Sequence, residues 1–174
     1  MARKILLGVT GSIAAYKAVE LARMLLARGD SVSVVMTPAA TEFVKPLSFQ
    51  TLSRNPVYVD QFAKVCDWKP EHVALAESAD LCIVAPATAN TIAKMRFGLA
   101  DNLLTSMLLA TRSPIAIAPA MNSGMWQNPV TQENIAALAA RGVKVIGPGV
   151  GELACGVSGE GRMFEPEQII EEIG

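Results

Sequence analysis

Short, nearly uninterrupted apolar runs alternate along this chain with longer stretches whose apolar residues return every three or four positions. The runs at 4–9, 31–36, 81–85, 114–118 and 144–146 read as β-strands, bounded by Gly, Pro, Ser or Thr. Their continuous Val, Ile, Leu and Ala content fits strands covered on both faces rather than one. Helical periodicity fills the intervals. Ile13 to Arg28 predicts a helix with Ser12 as N-cap and Gly29 after its end. Thr37-Pro38 starts a short helix with proline in the first position, and 45–59 reads as a helix followed by irregular chain. Gln61 to Glu71 is loop-like, and His72 to Ala79 is a short helix. The turn at 86–91 leads into a helix to Phe97, ended by Gly98. Asp101 is the expected cap of a helix to Ala110. Asn128-Pro129 opens a helix to Arg141, and Pro166 to Ile173 forms the last one. Gly147 to Gly161 is glycine-rich and expected to be a mobile loop. Strands alternating with helices predict an α/β fold: a Rossmann-like, doubly wound parallel sheet in a three-layer sandwich, one domain over residues 1–174.

Composition sharpens this picture. The length of 174 residues suits one domain with a single large core. Hydrophobic residues make up 51% of the chain and the mean hydropathy is +0.35, which predicts both a doubly covered sheet and contacts between subunits. A net charge of −1 gives no electrostatic footprint for nucleic acid. The apolar runs are too short to span a bilayer. Met1 to Lys4 before the first run mimics a signal peptide, but Thr10-Gly11-Ser12 breaks the apolar stretch early. The three cysteines, Cys66, Cys82 and Cys155, form no C-x-x-C pair and are odd in number. Neither a zinc site nor a disulfide framework is implied, no metal is expected, and a cytoplasmic protein fits.

The first strand-to-helix turn, Gly8-Val9-Thr10-Gly11-Ser12-Ile13, is built for an anion. Small residues admit a phosphate, and the helix N-terminus offers N–H groups and a positive dipole end. The full G-x-G-x-x-G spacing is absent, and no carboxylate follows strand two to hold a ribose. A mononucleotide phosphate therefore fits better than a dinucleotide, although such glycines also serve helix–strand packing alone. Thr37 and the turn Thr88-Ala89-Asn90-Thr91 bring hydroxyls and an amide to the same sheet edge, where a ligand can lie across the strand ends. Thr88 and Asn90 are equally ordinary helix-capping types.

Three residues are candidates for chemistry. His72, the single histidine, starts a short helix. There the imidazolium is disfavoured, so the ring suits a base; an exposed surface histidine is the plainer reading. Asn122 follows a strand ending in Pro119, where its amide can donate to a carboxylate, although asparagine is also common in turns. Cys155 lies in the glycine-rich segment, where a reactive thiol and an inert one are both consistent with the local sequence. Cys82, within a strand, reads as a small buried hydrophobe, and Cys66 receives no role. Met24, Met36, Met95 and Met107 read as core. Tyr16 and Lys17 pack helix one, with Lys17 also within reach of a phosphate.

Pro119-Ala120-Met121-Asn122-Ser123-Gly124-Met125-Trp126 resembles the PxMNxxMW motif of the homo-oligomeric flavin-containing cysteine decarboxylase family. Gly11 to Lys17, His72, Pro86 to Thr91 and Leu153-Ala154-Cys155-Gly156 match in the same order, across nearly the whole chain. The resemblance implies FMN as cofactor, held by Gly11, Ser12, Ile13, Thr37, Thr88, Ala89, Asn90, Thr91 and Ala120. It implies His72 as the proton-transferring base, Asn122 with Met125 beside it as the seat of the substrate carboxylate, and Cys155 as proton donor in a final reduction. The implied reaction is decarboxylation of 4'-phosphopantothenoylcysteine to 4'-phosphopantetheine in coenzyme A biosynthesis. The implied assembly is a trimer, or trimers joined into a dodecamer. In bacteria such a domain is often fused to a phosphopantothenate–cysteine ligase. Peptidyl-cysteine decarboxylases of lantibiotic maturation share the histidine and asparagine motifs but do not need the cysteine, so Cys155 favours the coenzyme A substrate. Flavin prenyltransferases lack the asparagine string. Non-catalytic regulatory relatives carry long acidic tails, which this sequence does not show.

Overall fold

The computed structural model describes residues 2–61, 71–152, 156 and 158–174, with the side chains of 71–74 and 152 outside that description. Among the described residues, six parallel strands form the central sheet: β1 (Lys4–Val9), β2 (Ser31–Met36), β3 (Val57–Tyr58), β4 (Leu81–Ala87), β5 (Ile115–Pro119) and β6 (Lys144–Val145). Their spatial order is β3-β2-β1-β4-β5-β6. The chain winds outward from β1 in one direction, then returns to β4 and winds outward in the other. The order reverses between β1 and β4, the switch point at which open α/β sheets place their ligands.

Alternate side chains of each strand enter two separate cores. Ile5, Leu7, Val9, Val32, Val34, Met36, Ile83 and Ala85 face α1 (Ala15–Ala27), with Phe49 of α2 (Pro46–Ser53) in the same cluster. Leu6, Val35, Cys82, Val84 and Ile117 face the other way. They pack on α3 (Glu71–Ser78), α4 (Ala89–Phe97), α5 (Leu103–Ala110) and, beyond the four-residue α6 (Ser123–Trp126), α7 (Pro129–Ala140). Gly8 lets α5 lie close over β1: a Cβ there would stand 2.6 Å from Leu104 Cδ1 and make that side chain move. Helices thus cover both faces of a parallel sheet, as the alternating pattern predicts.

Four local expectations change. α1 begins at Ala15 with Ala14 as its cap; Ser12 serves the turn before it, its hydroxyl accepting from the Ala14 amide at 3.2 Å. Asn102, not Asp101, caps α5, in a reciprocal pair with Thr105, and Asp101 instead binds Lys94. The chain at 45–59 ends in an unforeseen edge strand, β3. The glycine-rich segment, expected as a mobile loop, contributes an antiparallel hairpin of β7 (Gly149–Glu152) and β8 (Ser158–Arg162). The final helix α8 (Pro166–Ile173) returns to pack beside α1.

Candidate functional site

The carboxyl ends of β2, β1, β4 and β5 open into one cleft of about 640 Å³. Its walls follow the strand order. Thr37, Pro38 and Ala39 come from the end of β2, Gly11 and Ser12 from β1, Thr88 to Thr91 from β4, and Ala120, Met121 and Met125 from β5. Lys94, Asp101 and Asn102 close the far side. Eight of the nine positions expected to hold a cofactor, and Met125, line this single space. The ninth, Ile13, is 56% exposed and lies outside the lining.

Local chemistry explains how each turn is held. Thr37 caps the short 3-10 helix at Pro38–Glu42, accepting from the Ala40 amide at 3.3 Å. Gly11 lies so close to this helix that a Cβ would stand 2.6 Å from the Ala39 Cβ. Thr88 caps α4 through the Thr91 amide, and its hydroxyl lies 3.1 Å from that of Thr91. The helix N-terminus therefore faces the cleft with a positive dipole end and hydroxyls beside it. Asp101 is the single carboxylate among the described lining residues. Its hydrogen bond from Lys94, at 2.6 Å, holds it below the ordinary carboxylate range against a small opposing effect of burial.

Asn122 caps α6. Its Oδ1 accepts from the Gly124 amide at 2.8 Å. An N–H can pair only with the oxygen, so this bond fixes which end of the amide meets the helix. Gly159 and Gly161 of β8 lie against this loop. A Cβ on Gly161 would run into the Met121 carbonyl, and one on Gly159 into the Ser123 hydroxyl. The Met121 amide in turn donates to the Gly161 carbonyl at 3.0 Å. Bare glycine backbone thus seats the hairpin on the asparagine loop.

Lys17 is buried and takes no part in the cleft. Its Nζ donates to Met163 O at 3.2 Å and Glu165 Oε1 at 2.9 Å, bracing α1 against the chain that follows β8. The expectation that it could reach a phosphate is therefore not met. Cys82 is buried, and burial pushes its thiol up, as a packed structural cysteine requires. His72 falls in the first turn of α3, but its side chain lies outside the described residues, as do Cys66 and Cys155.

Comparison with known proteins now decides the family. The Flavoprotein family model matches residues 1–174. The chain belongs to the Flavoprotein family. It is 51% identical over 168 residues to the coenzyme A biosynthesis bifunctional protein CoaBC of Vibrio parahaemolyticus, covering 97% of this chain and 42% of that protein. It is 47% identical over 175 residues to a probable phosphopantothenoylcysteine decarboxylase of Streptococcus mutans, covering 99% of this chain and 98% of the relative. The chain thus spans less than half the length of the bifunctional relatives it matches. Among solved structures, a PPC decarboxylase mutant complexed with pantothenoylaminoethenethiol is 32% identical, with a TM-score of 0.88 over 99% of this chain and 97% of that one. The FMN binding protein AtHal3 is 33% identical, with a TM-score of 0.85 over 99% of this chain and 95% of that one.

The cleft of this Flavoprotein family member fits a flavin on its own terms. Gly11, Ala39, Ala89 and Ala120 are small and leave a broad slot. Ser12, Thr88 and Thr91 with the first turn of α4 supply donors for a phosphate, and the one carboxylate among the described lining residues is tied to Lys94. Sequence reading placed Thr10 in the first turn but gave it no role of its own. It is 1% exposed, and its partners lie 76 and 78 residues further on, so no local signal could have marked it. Lys94 and Asn102 were also missed as lining residues, because only the packing of α4 against α5 turns them toward the same space.

Proposed function

We propose that this chain is an FMN-dependent phosphopantothenoylcysteine decarboxylase that converts 4'-phosphopantothenoylcysteine to 4'-phosphopantetheine and carbon dioxide. The observation that carries the reading is the convergence, on one cleft at the switch point, of the phosphate-type turns and of Ala120, Met121 and Met125, which flank Asn122. The likeness to the named decarboxylase over the full length of both chains supports it.

FMN would lie with its phosphate toward Ser12 and Thr88 to Thr91, and its ring along Thr37 and Ala120. When bound, the flavin supplies a two-electron oxidant that is restored within the turnover, giving the carbon that loses carbon dioxide an electron-accepting neighbour. Asn122 orients the substrate carboxylate through its Nδ2 donors. A neutral amide holds the anion without the charge pairing that would oppose departure of carbon dioxide. Met125 lies against the substrate at the mouth of the cleft. His72, in the first turn of α3, moves a proton during oxidation or decarboxylation. Cys155 donates the proton that completes the reduced product.

The working form is a homo-oligomer, a trimer or trimers joined into a dodecamer. Exposed Phe97, Leu99 and Leu109 supply apolar surface for such contacts. The setting is the cytoplasm, and among the described residues no helix is long and apolar enough to cross a membrane. Residues 1–174 act as one flavin-binding domain.

The test is to isolate the protein, quantify FMN, and follow carbon dioxide release from 4'-phosphopantothenoylcysteine. Bound FMN with release of carbon dioxide is the expected result. FMN without turnover would overturn the substrate assignment and make a peptide ending in cysteine the next candidate.

A further inference from the structure

The turns around the cleft are tied to one another at three places. Beside β1, the Thr37 amide donates to Val9 O at 3.0 Å. Beside β4, the Ala120 amide donates to Ala87 O at 3.1 Å. Both bonds are backbone to backbone and extend the β1/β2 and β4/β5 ladders past their last pairs, Val9 with Met36 and Ala87 with Pro119. Between β1 and β4 the pairing stops at Gly8 and Val84. This is where the strands part, β1 feeding a helix on one face and β4 a helix on the other. Here β4 also shifts register relative to β5, and Pro86 has no N–H to contribute.

A side chain makes the missing rung. Thr10 Oγ1 donates to Pro86 O at 2.6 Å and accepts from the Thr88 amide at 3.1 Å. Thr10 is buried, at 1% exposure. One of its partners is the residue that caps α4, and its own neighbour Gly11 lines the cleft. We infer that Thr10 is a positioning residue for the cofactor: its hydroxyl sets the separation between the Gly11–Ser12 turn and the N-terminus of α4, and thereby the affinity for a phosphate monoester held between them. This inference rests on the flavin reading of the cleft. One atom must both donate and accept, which a hydroxyl does and a methyl does not. Valine keeps the shape of threonine but leaves the Pro86 carbonyl and Thr88 amide without their partner; serine keeps the partner and loses only a methyl group.

The test titrates flavin-stripped wild type, Thr10→Val and Thr10→Ser with FMN and, separately, with riboflavin, which lacks the phosphate. Thr10→Val should raise the Kd for FMN by roughly tenfold or more, while Thr10→Ser stays within about threefold of wild type. Riboflavin affinity should change less than about threefold in either variant. If the valine protein does not fold, Thr10→Cys takes its place, since a thiol fills the site but hydrogen-bonds weakly; its Kd for FMN must then exceed that of Thr10→Ser. Equal FMN affinity in all variants, or an equal loss for FMN and riboflavin, would overturn the inference. Failure of wild type to bind FMN would instead remove the flavin reading itself.

Discussion

In the proposed mechanism Asn122 has two jobs, one for each end of its amide. Its oxygen caps α6 through Gly124, and in the proposed mechanism its nitrogen serves the substrate carboxylate. Aspartate can make the same cap but would turn a second carboxylate oxygen toward the substrate. Asn122→Asp should therefore keep its fold and its FMN affinity while carbon dioxide release falls by about 100-fold or more; a variant within about twofold of wild type would remove Asn122 from the site. Asn122 stands out in the sequence because it belongs to a distinctive string after a strand. Thr10 does not, because its meaning depends on a carbonyl 76 residues away. Lys17 was half legible: its helix is the expected one, but its amine ends on Met163 and Glu165, which no local pattern brings near.

At the scale of elements, five of the six sheet strands follow from apolar runs. The sixth, β3, is two residues long, and Asn55 ties its approach to β2 through a bond from Nδ2 to Val32 O at 3.0 Å. That support comes from tertiary contact, so no period in the sequence marks it. The β7–β8 hairpin escaped notice for a different reason. Glycine lowers strand propensity, yet here Gly159 and Gly161 are what allow β8 to lie on the Asn122 loop. Gly161 also has φ near +136°, outside the range comfortable for other residues. Gly161→Ala should cost about 1–3 kcal/mol of stability, measured by urea unfolding. It should also raise KM for substrate more than it raises the Kd for FMN, because the displaced loop carries Asn122. An unchanged unfolding midpoint and KM would show that the seat is not under steric constraint.

For the whole molecule, the cleft occupies one edge of the sheet, and a charged cluster ties the opposite edge. Burial pushes the Asp30 carboxyl up, but two bonds from Arg28 and one from the Arg3 amide outweigh it and hold the group below its usual range. Glu165 is likewise held down, first by its bond from Lys17 and, against some burial, by Arg162. Both carboxyls have a lower pKa folded than unfolded. Their stabilisation is fully present above the unfolded value, about pH 4, and is lost as pH falls through the folded values. Urea midpoints should hold steady from neutrality to about pH 5 and decline below about pH 4. Asp30→Asn should weaken the fold by about 2 kcal/mol near neutrality and reduce that acid slope, while leaving the Kd for FMN unchanged. A shifted Kd would mean that the two edges are coupled. The apolar pattern foretold a doubly wound sheet but not which strands are neighbours, since buried strands carry no mark of their partners. The crossing from β3 back to β4 beside β1 creates the switch point, and this long-range choice gathers turns distant in sequence into one cleft.

The most direct measurement is the mass of the product formed from 4'-phosphopantothenoylcysteine by wild type and by Cys155→Ser. We expect 4'-phosphopantetheine from wild type and, from the variant, a decarboxylated product lighter by two hydrogens. Identical products from the two proteins would contradict the role of Cys155. Recovery of unchanged substrate from the FMN-loaded wild type would contradict the decarboxylase assignment itself.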